Sequence, residues 1–197
     1  MGLTMMTPPI KPPPIRFRFA PKKCLQAVQW MLAKVNEPLD FHTILKTAYF
    51  ADKRMLNKNW RPIFGATYRA MNYGPVPVEV YEMLKCEPYY LSELDLDDYP
   101  WERKGYRVNL TDTDRLNEIL NPKGLSKADM RFIQEEFERS RWMNFDQRTK
   151  ETHQNDWIRG IQRPDSRMAY EDMIDDDHPH REEMIEDLAS IGTRIVF

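Results

Sequence analysis

The sequence predicts an α+β domain, predominantly helical with a small antiparallel β element, an extended proline-rich arm in front and an acidic stretch behind. Three observations carry that prediction. Apolar residues recur at helical spacing across residues 21–36 and 40–59. Residues 65–73 and 104–110 alternate instead, as half-buried strands do. Charge is divided between the ends: residues 1–61 hold eleven Lys or Arg against three acids, and residues 165–197 hold ten Asp or Glu against three Arg. The expected division is an arm over 1–20, a domain over 21–160 and an acidic extension over 161–197.

The elements follow in order. Pro8, Pro9, Pro12, Pro13 and Pro14 remove backbone donors and fix φ, which predicts an extended leader. From Pro21 the set Leu25, Val28, Leu32 and Val35 marks a first helix that ends near Asn36 and Pro38. Asp40 is placed to cap the next helix, whose apolar stripe is Phe41, Leu45, Ala48, Met55 and Leu56. Asp52 falls on that stripe. A carboxylate facing a core needs a partner, and Arg61, Arg69 and the downstream Tyr hydroxyls are the candidates.

Arg61-Pro62 closes the helix, and residues 65–73 form a strand with Tyr68, Ala70 and Asn72 on one face. Gly74-Pro75-Val76-Pro77 reads as a rigid corner feeding a short helix through Val80, Tyr81 and Leu84. Residues 104–110 form a second strand, expected to pair with the first as a ribbon. Asp112 opens a short helix with Leu116, Ile119 and Leu120. Ser126 and Asp129 make a capping box for a helix that turns Met130, Ile133 and Phe137 inward. A short helix near 149–153 leads to Trp157, and a weak one around Met184, Ile185 and Leu188 precedes the apolar end. Trp60, Trp101 and Trp157 are expected to pack against helices.

Composition narrows the function classes. The 41% hydrophobic and 12% aromatic content supports a packed interior, and the net charge of −2 gives no general case for nucleic acid or membrane. Cys24 and Cys86 alone fit a reducing cytoplasm, and no secretory signal or membrane span is read. Seven glycines form no phosphate-cradling loop, and neither a serine elbow nor a reactive-cysteine context appears. His42, His153, His178 and His180 have no zinc-helix spacing. No cofactor, metal or catalytic residue is therefore assigned, and a non-enzymatic binding protein is expected. Residues 171–187 hold nine carboxylates against one Arg. They read either as a solvated tail or as a phosphate mimic that covers a basic partner.

The strings Tyr49-Phe50-Ala51-Asp52-Lys53, Arg61-Pro62-Ile63-Phe64-Gly65, Tyr68-Arg69-Ala70-Met71-Asn72-Tyr73-Gly74-Pro75-Val76-Pro77 and Glu79-Val80-Tyr81 resemble the signature of the SocA-like Panacea domain. Leu125-Ser126, and Thr152-His153 followed by Trp157, extend the resemblance over about residues 22–160. It implies an antitoxin, which binds and silences a toxin encoded beside it, either directly or by handing it to a AAA+ protease. Phage-associated relatives are implied as well. In this sequence Lys46, Tyr49, Asp52, Arg69, Tyr73 and Tyr81 are expected in or near the partner-binding face. Gly65, Gly74, Pro75, Val76, His153 and Trp157 are expected as the structural motif. The competing class is a phage accessory protein or nucleic-acid-binding regulator; the basic residues 11–61 favour DNA, but no recognition helix stands out.

Overall fold

The computed structural model describes residues 13–111, 113–190 and 193–196. After β1 (Arg16–Arg18), helix α1 (Pro21–Val35) starts on a proline that has no intrahelical donor to lose, and it ends where Asn36 turns left-handed at φ 52°. Strand β2 (Leu39–Asp40) leads into α2 (Phe41–Asn59), which Asp40 caps by accepting from the Thr43 amide at 2.8 Å. The stripe Phe41, Leu45, Ala48, Met55 and Leu56 is buried, yet α2 is buried on nearly every side, as befits a central helix.

The hairpin β3 (Tyr68–Met71) and β4 (Gly74–Pro77) follows, then α3 (Val78–Leu84) and a 3-10 turn (Pro88–Tyr90) running into α4 (Leu91–Leu94). Strands β5 (Trp101–Lys104) and β6 (Arg107–Leu110) form a second hairpin before α5 (Leu116–Ile119). Helices α6 (Lys127–Arg141) and α7 (Phe145–Thr152) each open on a complete capping box, Ser126 with Asp129 and Asn144 with Gln147. Helix α8 (Asn155–Ile161), β7 (Arg167–Met168), α9 (Tyr170–Met173), α10 (Arg181–Ser190) and β8 (Thr193–Ile195) complete the chain.

The sheets depart from expectation in two ways. The segment 74–77, expected as a corner, is a strand, antiparallel to β3 with Met71 opposite Gly74 and Tyr68 opposite Pro77. Two prolines are tolerated there because β4 is the edge of the order β4-β3-β7. The expected pairing of 65–73 with 104–110 does not occur. Instead β6 pairs with its sequence neighbour β5 and with β2, because Gly105 at φ +61° makes a two-residue turn that closes the local hairpin first. The strand of 65–73 is also shorter than expected, and Asn72 lies exposed in the turn. Besides these antiparallel sheets, β1 and β8 pair in parallel.

Two cores flank α2. The larger gathers α1, α3, β5, β6 and α6 around Ile44, Leu45, Ala48 and Met55, with Phe132, Ile133 and Phe137 from α6. A buried polar tie crosses it: Asp129 accepts from Lys23 at 2.9 Å and Arg61 at 3.0 Å. The second core joins Tyr49, Leu56 and Tyr68 to Met168, Met173, Ile174, Met184 and Leu188. The acidic stretch is thus drawn into the fold through its apolar residues, while Asp175, Asp176 and Asp177 stay exposed. Pro8, Pro9, Pro12 and Asp112 lie outside the described residues. No described helix is long and apolar enough to cross a membrane.

Candidate interaction face

Asp52 is fully buried, and its carboxylate accepts from the Ile63 amide (2.8 Å), the Phe64 amide (2.9 Å) and the Tyr68 hydroxyl (3.0 Å). Burial pushes it up to about 7, against those three donors. Of the partners expected for it, the tyrosine hydroxyl is the one that arrives. Arg61 goes to Asp129, and Arg69 donates to the Asp165 carbonyl at 3.0 Å. Asp52 thereby pins the exit of α2 to the start of β3.

Tyr49 is buried one turn earlier, and its hydroxyl donates to Asp156 at 2.6 Å, where Lys53 also binds at 3.2 Å. Burial raises its pKa well above the ordinary phenol value. Lys46 is buried as well, its amino group donating to the Pro75 carbonyl at 2.7 Å. Burial and the Arg148 guanidinium hold it down at about 7. The structure therefore puts Lys46, Tyr49 and Asp52 behind the surface, where they set the hairpin in place.

The hairpin tip is the exposed part. Gly74 has φ +94°, and a Cβ there would lie 2.2 Å from Thr152 Oγ1 and 3.1 Å from Lys46 Nζ, so only glycine lets the turn settle onto α7 and α2. Pro75 and Val76 are buried beside it. Tyr73 projects outward and meets Phe145 edge-on at 5.0 Å, and Phe145 stacks on His42 at 4.1 Å. Arg69 is exposed on β3, whereas Tyr81 is half-buried, edge-on to Phe41 at 5.9 Å. His153 stacks on Trp157 at 3.7 Å and 7°, and the Trp157 indole donates to the Met71 carbonyl at 2.9 Å. Gly65, at φ +66°, lets the Arg18 carbonyl pass within 2.7 Å of where a Cβ would stand.

Beneath the tip, Arg148 ties α7 to α2. It donates to the Ser140 and Met143 carbonyls, to Asp40 at 3.5 Å and to His42 Nδ1 at 3.1 Å. Because Nδ1 accepts from a guanidinium, the His42 ring proton belongs on Nε2, 3.3 Å from Thr149 Oγ1. Burial, then Lys46 and Arg148, lower His42 to about 4, so the ring is neutral. Sequence reasoning missed His42, Phe145, Arg148 and Trp142, which stand some 70 residues or more from the Tyr73 turn or on another element. The available signal was Asn144 three residues before Gln147, a second capping box that places Phe145 at a helix start. Among the described residues no cluster of His, Cys, Asp and Glu is arranged to hold a metal ion.

With this geometry in place, the family comparison is decisive: the model described as antitoxin SocA-like, Panacea domain, matches residues 44–158, more than half of the chain. The protein belongs to the SocA-like Panacea family. No curated protein and no solved structure matches it. The matched span of the Panacea domain runs from the first turn of α2 into α8 and holds the hairpin and α7, while His42 lies just before it. Helix α1 and the elements after residue 161 lie outside the match yet complete the two cores.

Proposed function

We propose that this Panacea protein is an antitoxin that neutralises a cognate protein toxin by binding it through the hairpin face, with Tyr73 at its tip and Arg69 on strand β3. The observation that carries the reading is Tyr73 itself. It is a large aromatic held in solvent on a turn whose underside is fixed by Lys46, Gly74 and Thr152. A preformed turn loses little conformational freedom on docking, and Tyr, Trp and Arg supply most of the binding energy at interfaces. Lys46, Tyr49 and Asp52 serve this function from behind, by holding the turn rigid. A bacterial cytoplasm, or that of a phage host, is the setting in which such a pair would meet.

The test is growth of cells producing the adjacent gene product alone, with this protein, and with its Tyr73→Ser variant. Rescue by the native chain and failure of the variant support the reading, and rescue in a strain without the AAA+ protease separates occupation from delivery. A neighbour that does not arrest growth, or arrests it equally with and without this protein, defeats it.

A further inference from the structure

The surface around Tyr73 is wider than the sequence signature. Met71, Tyr73, Trp142 and Phe145 are 44%, 62%, 77% and 42% exposed. Tyr73 and Phe145 are in ring contact, and Trp142 stands in the connection between α6 and α7, three residues before Phe145. The Tyr73–Phe145 contact, with exposed Trp142 three residues along the chain from Phe145, makes an aromatic surface of the kind that marks an interaction site.

The charge beneath them is one-sided. The Lys46 amino group lies directly under Gly74 and pairs with no carboxylate among the described residues; its acceptor is the Pro75 carbonyl. Arg148, also buried, is held by two carbonyls and the neutral His42 ring, and Asp40 at 3.5 Å is its single carboxylate among the described residues. The exposed Arg69 guanidinium is spent on a backbone carbonyl. The exposed charges on α7 itself are Asp146, Lys150 and Glu151, and Glu151 is paired with Arg139. Lys46, which stands at about 7, and Arg148 thus bring cationic groups under the turn from a poorly screened interior.

We infer that this face accepts an acidic segment of a partner protein, with an apolar or aromatic side chain seated on Tyr73, Phe145 and Trp142 and a carboxylate over the Gly74 turn. The inference rests on the toxin-binding reading above and adds the chemistry of what is bound. A carboxylate there meets the potential of Lys46, which has no carboxylate partner among the described residues, and of Arg148, which Asp40 offsets only from 3.5 Å; this favours acidic over basic partners and speeds encounter at low salt. It also raises the proton affinity of the Lys46 amine, which otherwise stands near 7.

The test needs no toxin. A random peptide library displayed on phage is panned against the full chain and against the Tyr73→Ser/Trp142→Ser double variant, whose altered side chains are exposed; equal melting temperatures establish that both are folded. Recovered sequences should be enriched in Asp and Glu next to apolar residues. The synthesised peptides should bind the double variant at least about tenfold more weakly, lose affinity as salt rises and take up protons on binding near pH 8, an uptake that Lys46→Met abolishes. Recovery of basic or uncharged peptides, of none at all, or of acidic ones that bind the double variant equally well overturns the inference. The growth test is scored separately: a toxin neutralised through Tyr73 while the recovered peptides are not acidic removes the partner chemistry and leaves the antitoxin reading standing.

Discussion

At the scale of single residues, Asp52 and Lys46 show how buried charge can serve architecture. Asp52 satisfies three donors at once. Asp52→Ala strands two backbone amides and a hydroxyl, so we expect a loss on the order of 3 kcal/mol in urea unfolding. Asp52→Asn should cost much less, because its amide oxygen still takes both N–H groups while Tyr68 reverses its hydroxyl. Lys46 gives a pH signature. Its folded pKa, about 7, is depressed below the ordinary 10.5, so between those values the unfolded chain binds the extra proton and stability rises with pH. The native chain should melt progressively higher from pH 7 to about pH 8.5, above which the buried Cys24 thiol, its pKa raised by burial, opposes the rise, and the Lys46→Met variant should lose most of that slope. Asp52 was legible in the sequence as a carboxylate on an apolar stripe. Lys46 was legible only as a motif neighbour, since nothing local says that the chain 29 residues on will fold over it.

Among the elements, the hairpin of β3 and β4 is the piece on which the face depends, and its glycine is testable. Gly74→Ala puts a side chain at φ +94° and into Thr152, whereas Gly105→Ala at φ +61° meets open space. We expect the first to cost clearly more than the ~1 kcal/mol typical of strain at positive φ alone, and the second to cost about that amount, both read from thermal unfolding. If the two cost the same, the contact with α7 is not what holds the turn. Helices were legible because their ends carry their own signals: Asp40, Ser126 and Asn36 stand where their side-chain or backbone chemistry requires. Strand pairing was not. A four-residue strand has several possible mates, and Pro75 and Pro77 imitate a corner unless the strand is known to lie at an edge.

For the molecule as a whole, the acidic stretch is the main revision. Its carboxylates read as a tail, but Met173, Ile174, Met184 and Leu188 interleave with them and close the second core over Tyr49 and Leu56. A chain cut after residue 161 should therefore lose cooperative unfolding or aggregate, although it retains the whole span matched to the family. A truncated chain that melts like the native one would show the second core to be dispensable. For the same reason, a role for the acids themselves is better examined by replacing Asp175, Asp176 and Asp177 with Asn than by deletion. The candidate face was half legible: Tyr73 and Arg69 lie in the recognisable block, while Phe145, at the start of α7, meets Tyr73 only through tertiary packing.

The parallel ribbon of β1 and β8 has a mechanical meaning. Arg16 lies beside Thr193 and Arg18 beside Ile195, so traction applied before residue 16 and after residue 195 drags the two strands past each other lengthwise. Their hydrogen bonds then bear the load together instead of parting one at a time. An unfolding motor that gripped one end while the other was anchored would load this ribbon in shear at the very first step.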